Sequence, residues 1–169
     1  IDLAGLDVVI NTAHSEVIPA GNVISQVPLS GCEAAVVTIT VSDGFPYAGG
    51  IGSTVDPYRI STAQQMNAIG SYPDDWNKEF LLVNDIDMSA YVGTMYNVIG
   101  QTVYTSQFSG VFDGGGHVIS GFTYSSSSQD YLGLFGYIGA DGQVRDLGLT
   151  SVSMAVGSAF NVGAIAGYS

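Results

Sequence analysis

Asp85 and Asp87 stand two residues apart, so on a strand their carboxyl groups share a face. Asp113 would join them if it lay on the neighbouring strand. Clustered carboxylates have three common uses. An acid paired with a base cleaves glycosidic bonds. A set of oxygen ligands holds Ca²⁺. Otherwise the carboxylates accept hydrogen bonds from backbone amides at chain corners and do no chemistry. The corner role is the expectation here, because the acids sit at turn-like positions.

His117 follows Asp113-Gly114-Gly115-Gly116. With Ser120, or one of Ser125 to Ser128, it has the residue types of a nucleophilic triad. No Gly-X-Ser-X-Gly elbow is present and nothing supplies an oxyanion hole. His117 is therefore expected to be a turn residue or a partly buried hydrogen-bond donor. His14 is isolated in the sequence. The triple glycine is no phosphate loop, since no Lys-Ser or Lys-Thr follows it. Cys32 is the single cysteine, which excludes an internal disulfide and any Cys-X-X-Cys metal site. It is expected to be a small buried or partly buried thiol. No catalytic, cofactor or metal residue is assigned, and no cofactor is expected.

Elements that could position these residues must come from an unusual composition. Charged residues make up 11% of the 169, against about 25% in an average domain. Glycine accounts for 23 residues, without the three-residue period of collagen. Acids outnumber bases 15 to 3, for a net charge of −12. Arg59, Lys78 and Arg145 cannot form a phosphate-tracking patch, so nucleic acid and anionic membrane surfaces are excluded as partners. Residues 88–112 and 147–169 are long enough to cross a bilayer, but their apolar residues are spaced out among polar ones, so no membrane span is expected. No signal peptide precedes Ile1, as in a processed or trimmed chain.

The chain divides near Gly44. In residues 1–44, Leu6, Val8 and Ile10 alternate, as do Val37, Ile39 and Val41, the period of half-buried strands. A short strand follows the Pro19-Ala20-Gly21 turn. Residues 45–50 read as a linker. In residues 51–169 the spacing predicts one helix over 61–70. Ser61 or Thr62 is its cap, Gln64 stands in capping-box position, and Gly70 and Pro73 stop it. Trp76 is expected to pack that helix onto the first strand layer. Phe80–Val83 reads as a strand, and Asp43-Gly44, Asp113-Gly114 and Asp141-Gly142 as turns. Ser125–Ser128 reads as a flexible loop, with O-glycosylation as the alternative. The ten tyrosines are expected in core or ladder positions, with a sugar-stacking surface as the alternative.

Internal similarity organises the second part. Ile119, Phe122 and Tyr124 match Val144, Leu147 and Leu149, each 25 residues on. Leu132 matches Val162, 30 residues on. Strands recurring every 25 to 30 residues favour a β-solenoid over a two-layer sandwich, because a sandwich needs no such recurrence.

Two family resemblances follow from particular motifs. Val17–Gly31 with Val37–Gly44 resembles the second half of a PASTA domain, with Leu3–Leu6 as the tail of its helix. Asp56–Met66, Phe80–Met88, Val98–Gly100, Phe108–Ile119, Gly133–Gly136 and Val162–Gly167 resemble bacterial surface proteins built from GLUG repeats. This second likeness covers residues 51–169. It implies a mainly β fold, a right-handed parallel β-helix with one N-terminal capping helix, preceded by a small PASTA-like α+β unit. It also implies a secreted or surface-attached protein and carries over no catalytic residue.

The PASTA-like unit lacks its beginning, and the solenoid stops at Ser169 without a cap. The expected partners are therefore other copies of the chain or further domains, associating end to end. Three functions are expected in order: a non-enzymatic structural or adhesive module assembling into a filament or stalk, a module binding cell-wall or host glycans, and a carbohydrate-active enzyme using Asp85, Asp87 or Asp113.

Overall fold

The computed structural model describes residues 7–13, 22–28, 36–42, 44, 46–101 and 106–169. The chain forms two units, Ile1–Pro46 and Tyr47–Ser169. The first contains a three-stranded sheet of β1 (Asp7–Ala13), β2 (Val23–Val27) and β3 (Val36–Ser42). β3 is central, parallel to β1 and antiparallel to β2. The two alternating stretches read from sequence pair with each other, Val8 opposite Val37 and Ile10 opposite Ile39. Leu3–Leu6, His14, Cys32 and Asp43 lie outside the described residues.

The second unit is a β-solenoid. Its first strand, β4 (Tyr58–Ile60), leads into the short helix α1 (Ala63–Ile69) and then β5 (Glu79–Leu82) and β6 (Ile86–Asp87). The next coil holds β7 (Val111–Asp113), β8 (Val118–Ser120), β9 (Thr123–Ser126) and β10 (Phe135–Tyr137). The coil after that holds β11 (Gln143–Arg145), β12 (Gly148–Thr150), β13 (Ser153–Val156) and β14 (Ala166–Tyr168). Four parallel sheets run along the stack, ordered β11-β7-β5-β4, β12-β8-β6, β13-β9 and β10-β14.

Register fixes the repeat. Leu132 bridges Val162, as the 30-residue match requires. The 25-residue match is overturned. Ile119 stands opposite Leu149, Tyr124 opposite Met154, and Val144 opposite Phe112. Each coil contains several short apolar strands of like pattern, so a match by pattern alone slid from one side of the coil to the next. Left-handed backbone recurs at the true spacing: Gly116 and Asp146 (φ 79° and 51°), Gly121 and Ser151 (67° and 54°), Tyr131 and Asn161 (56° and 58°). These pairs mark the same corners in successive coils. The Gly114–His117 corner is longer than its Asp146-Leu147 counterpart, so the glycine run takes up a local insertion.

The interior is an aromatic column. Tyr58, Phe80 and Phe112 are successive register partners, with ring centroids 5.6 Å and 6.5 Å apart. Phe108 and Phe135 extend it, 5.0 Å apart, and all five rings are buried. Gly110 lets the chain pass: a Cβ there would collide with the backbone of Lys78.

Helix α1 is shorter than the sequence reading. Thr62 is its cap, accepting from the Gln65 amide at 3.2 Å, and Gln65 rather than Gln64 reaches back, accepting from the Ser61 amide at 2.9 Å. Met66 and Ile69 are its buried residues. The buried Trp76 indole donates to the Ile69 carbonyl at 2.7 Å, fixing the helix end. Tyr47–Gly50, read as part of a linker, belong to the second unit. Ala48 and Gly49 exchange backbone hydrogen bonds with Arg59 of β4. The serine run is not simply a flexible loop, since Ser125 and Ser126 pair with Ala155 and Val156. Among the described residues no helix is long and apolar enough to cross a membrane, and β12 to β14 occupy the charge-free stretch at 147–169.

Candidate functional site

The carboxylates singled out from sequence sit at solenoid corners, each held by backbone amides. Asp85 Oδ1 accepts from the Val118 amide at 3.0 Å, one coil on, and lies 3.1 Å from Nδ1 of His117. The Val118 bond first, and His117 second, hold its carboxyl below the usual carboxylate range. Asp87 Oδ1 accepts from the Ser89 amide at 2.9 Å, which likewise lowers its pKa. Asp113 Oδ1 accepts from Gly115 at 2.8 Å, and its Oδ2 takes Nε of Arg145 at 2.9 Å. Arg145 stands opposite Asp113 in the next strand, so this ion pair spans two coils.

The structure thus links Asp85 with His117 and Asp113 with Arg145. It does not join His117 to Asp113, the pairing that neighbouring positions hinted at. Asp85 lies just outside β6, so it does not share a strand face with Asp87. Among the described residues no group of three or more His, Cys, Asp or Glu gathers as a metal site would require. Depressed pKa values suit fixed hydrogen-bond acceptors. A general acid needs its carboxyl raised instead.

Aromatic side chains divide sharply by depth. Trp76 and Tyr96 are buried, and burial pushes the Tyr96 phenol far above its usual pKa. The Tyr96 hydroxyl donates to the Leu134 carbonyl at 3.2 Å. The buried Tyr47 donates to Asp75 at 2.9 Å, and burial followed by that carboxylate raises its pKa. Tyr131, Tyr137 and Tyr168 are different, being partly exposed or exposed. Tyr137 and Tyr168 are register partners whose rings stack 4.9 Å apart at 6°, and Tyr131 stands edge-on to both at 6.1 Å and 6.4 Å. The count of tyrosines hinted at such a surface. Only the register between coils could say which three meet.

No family model matches this chain, and no solved structure matches it. Two proteins are similar in sequence. One is described as a Gly-rich membrane protein of Evansella cellulosilytica, 37% identical over 130 residues, or 75% of this chain. The other is halomucin of Haloquadratum walsbyi, 31% identical over 147 residues, or 81% of this chain. The aligned stretches make up only 15% and 2% of those proteins.

Proposed function

We propose that the chain is a non-enzymatic structural module of a surface or extracellular protein, with the β-solenoid as a stiff spacer. One observation carries this reading: the candidate catalytic acids Asp85, Asp87 and Asp113 are all engaged with corner amides. A solenoid stiffens by stacking, since each coil satisfies the backbone of the next and buries its apolar stripe. The names of the two relatives, a Gly-rich membrane protein and halomucin, favour a surface setting. We read the coils as GLUG-type and residues 1–44 as PASTA-like on their motifs, and α1 as the solenoid's cap on its buried Met66 and Ile69.

Antibody against this chain should label intact, unpermeabilised cells of the source organism. Labelling only after permeabilisation would overturn the surface reading. Polysaccharide hydrolysis by the purified chain, abolished by Asp85→Asn, would overturn the non-enzymatic one.

A second reading, glycan binding, rests on the Tyr131, Tyr137 and Tyr168 cluster. Exposed rings offer flat faces and edges to sugar C–H groups. Tyr168→Ala should then weaken retention on a neutral polysaccharide column, and unchanged retention would remove this reading.

A further inference from the structure

The two ends of the solenoid differ. Before β4, the backbone edge at Arg59 is occupied. Ala48 donates to the Arg59 carbonyl and Arg59 donates to the Gly49 carbonyl, each at 2.8 Å. Tyr47 packs over Tyr58 and Phe80, with centroids 4.6 Å and 5.5 Å away, and Tyr58 and Ile60 are buried. At the other end, β11, β12, β13 and β14 are each the last strand of their sheet. Among the described residues no strand covers them.

Their side chains show what is missing. Phe112, Ile119, Tyr124 and Leu132 are buried, but their register partners Val144, Leu149, Met154 and Val162 are partly or largely exposed. Val162 and Ile165 are each 37% exposed. Ile138, Val144 and Ile165 border an open hollow of about 490 Å³ on this side. In a solenoid this is interior surface, and strand edges beside it carry unpaired amides and carbonyls.

We propose that this coil is the contact surface between two copies of the chain, joined open end to open end. The occupant has to bring both a β-edge and an apolar stripe, and a second copy has both. A two-fold axis through one side of the coil sets that side's strand antiparallel to its own mate, which lets their edges exchange hydrogen bonds. Size agrees, since a stable interface takes about 20–30 residues a side and Gln143–Tyr168 offers about that many. Charge agrees as well. The chain carries −12 overall, yet from Gln143 onward Arg145 and Asp146 are the only charged residues. Two copies can meet there with little repulsion. The occupied edge at Arg59 disfavours the head-to-tail stacking that a filament needs. The inference stands apart from the surface reading and does not need it.

Sedimentation of the 169-residue chain at about 100 μM, ample for a micromolar contact, should give twice the 17.5 kDa chain mass and nothing larger. Leu149→Glu and Ile165→Glu should each give the single-chain mass. Val55→Glu, at a 92% exposed position before β4, should leave the dimer intact. A variant that fails to fold is replaced by a second measurement on the unaltered chain: amide exchange in β11 to β14 should accelerate on dilution. A monomer at the same concentration, species larger than a dimer, or exchange independent of concentration would overturn the proposal.

Discussion

Ser151 and Gly121 occupy the same corner of successive coils, both in left-handed backbone. Serine bears a Cβ cost of about 1–2 kcal/mol there, while a glycine in the unfolded chain gives back about 0.4–1 kcal/mol of entropy. Ser151→Gly should therefore stabilise the protein by roughly 0.5–1 kcal/mol in urea denaturation. Gly121→Ala should do the reverse and cost more, because its Cβ would also press on Ser89 and the Asp87 carboxylate, about 3.0–3.2 Å away. Acid stability belongs to this scale too. Asp85 and Asp87 have lowered folded pKa values, so their contribution is present above the unfolded carboxylate value and is lost as pH falls through the folded one. Stability should hold from neutrality to about pH 5 and decline below about pH 4. The double variant Asp85→Asn, Asp87→Asn should flatten that decline in a series of denaturant midpoints. The Asp residues themselves were legible in the sequence as turn formers. Their partners Val118, His117 and Arg145 were not, because those contacts cross from one coil to another.

Helix α1 is a seven-residue element, too short to persist without its cap and its packing. Thr62→Ala should cost about 1 kcal/mol. Its capping pattern was readable one residue out of place, since Ser61 and Thr62 both qualify and only the fold decides which turns inward. Sheet strands of three or four residues are equally weak alone, and they stand because each stacks on its register partner. Phe80 contacts Tyr47, Tyr58, Phe108 and Phe112. Phe80→Ala should cost about 3–5 kcal/mol by calorimetry, with Phe80→Leu closer to wild type. Loss confined to less than 1 kcal/mol would mean the aromatic column is not the organising core.

At the scale of the whole molecule, the division between Pro46 and Tyr47 makes a direct forecast. Residues 47–169 expressed alone should fold and unfold at the urea midpoint of the corresponding transition in the full chain. A large fall in that midpoint would show that the first unit stabilises the solenoid. The unequal ends of the second unit carry the remaining consequence, a pair of copies joined through the β11–β14 coil. End-to-end association was read from sequence as a general need of an uncapped solenoid. Which end is open depended on Ala48 and Gly49 meeting Arg59, a contact that a linker reading had hidden.

What the sequence determined by itself is the class of structure. Low charge, abundant glycine and short alternating apolar stretches are local properties, and they already required β structure with tight corners. The recurrence of Leu132 at Val162 gave the coil length. Tertiary structure alone decided the register elsewhere, and with it the column Tyr58–Phe80–Phe112, the pairs Asp85–His117 and Asp113–Arg145, and the tyrosines that meet at the surface. The physical reason is that a strand's pattern says which face is apolar but not which equally apolar strand lies above it. That choice is settled by corner lengths, left-handed turns and packing summed over the whole stack.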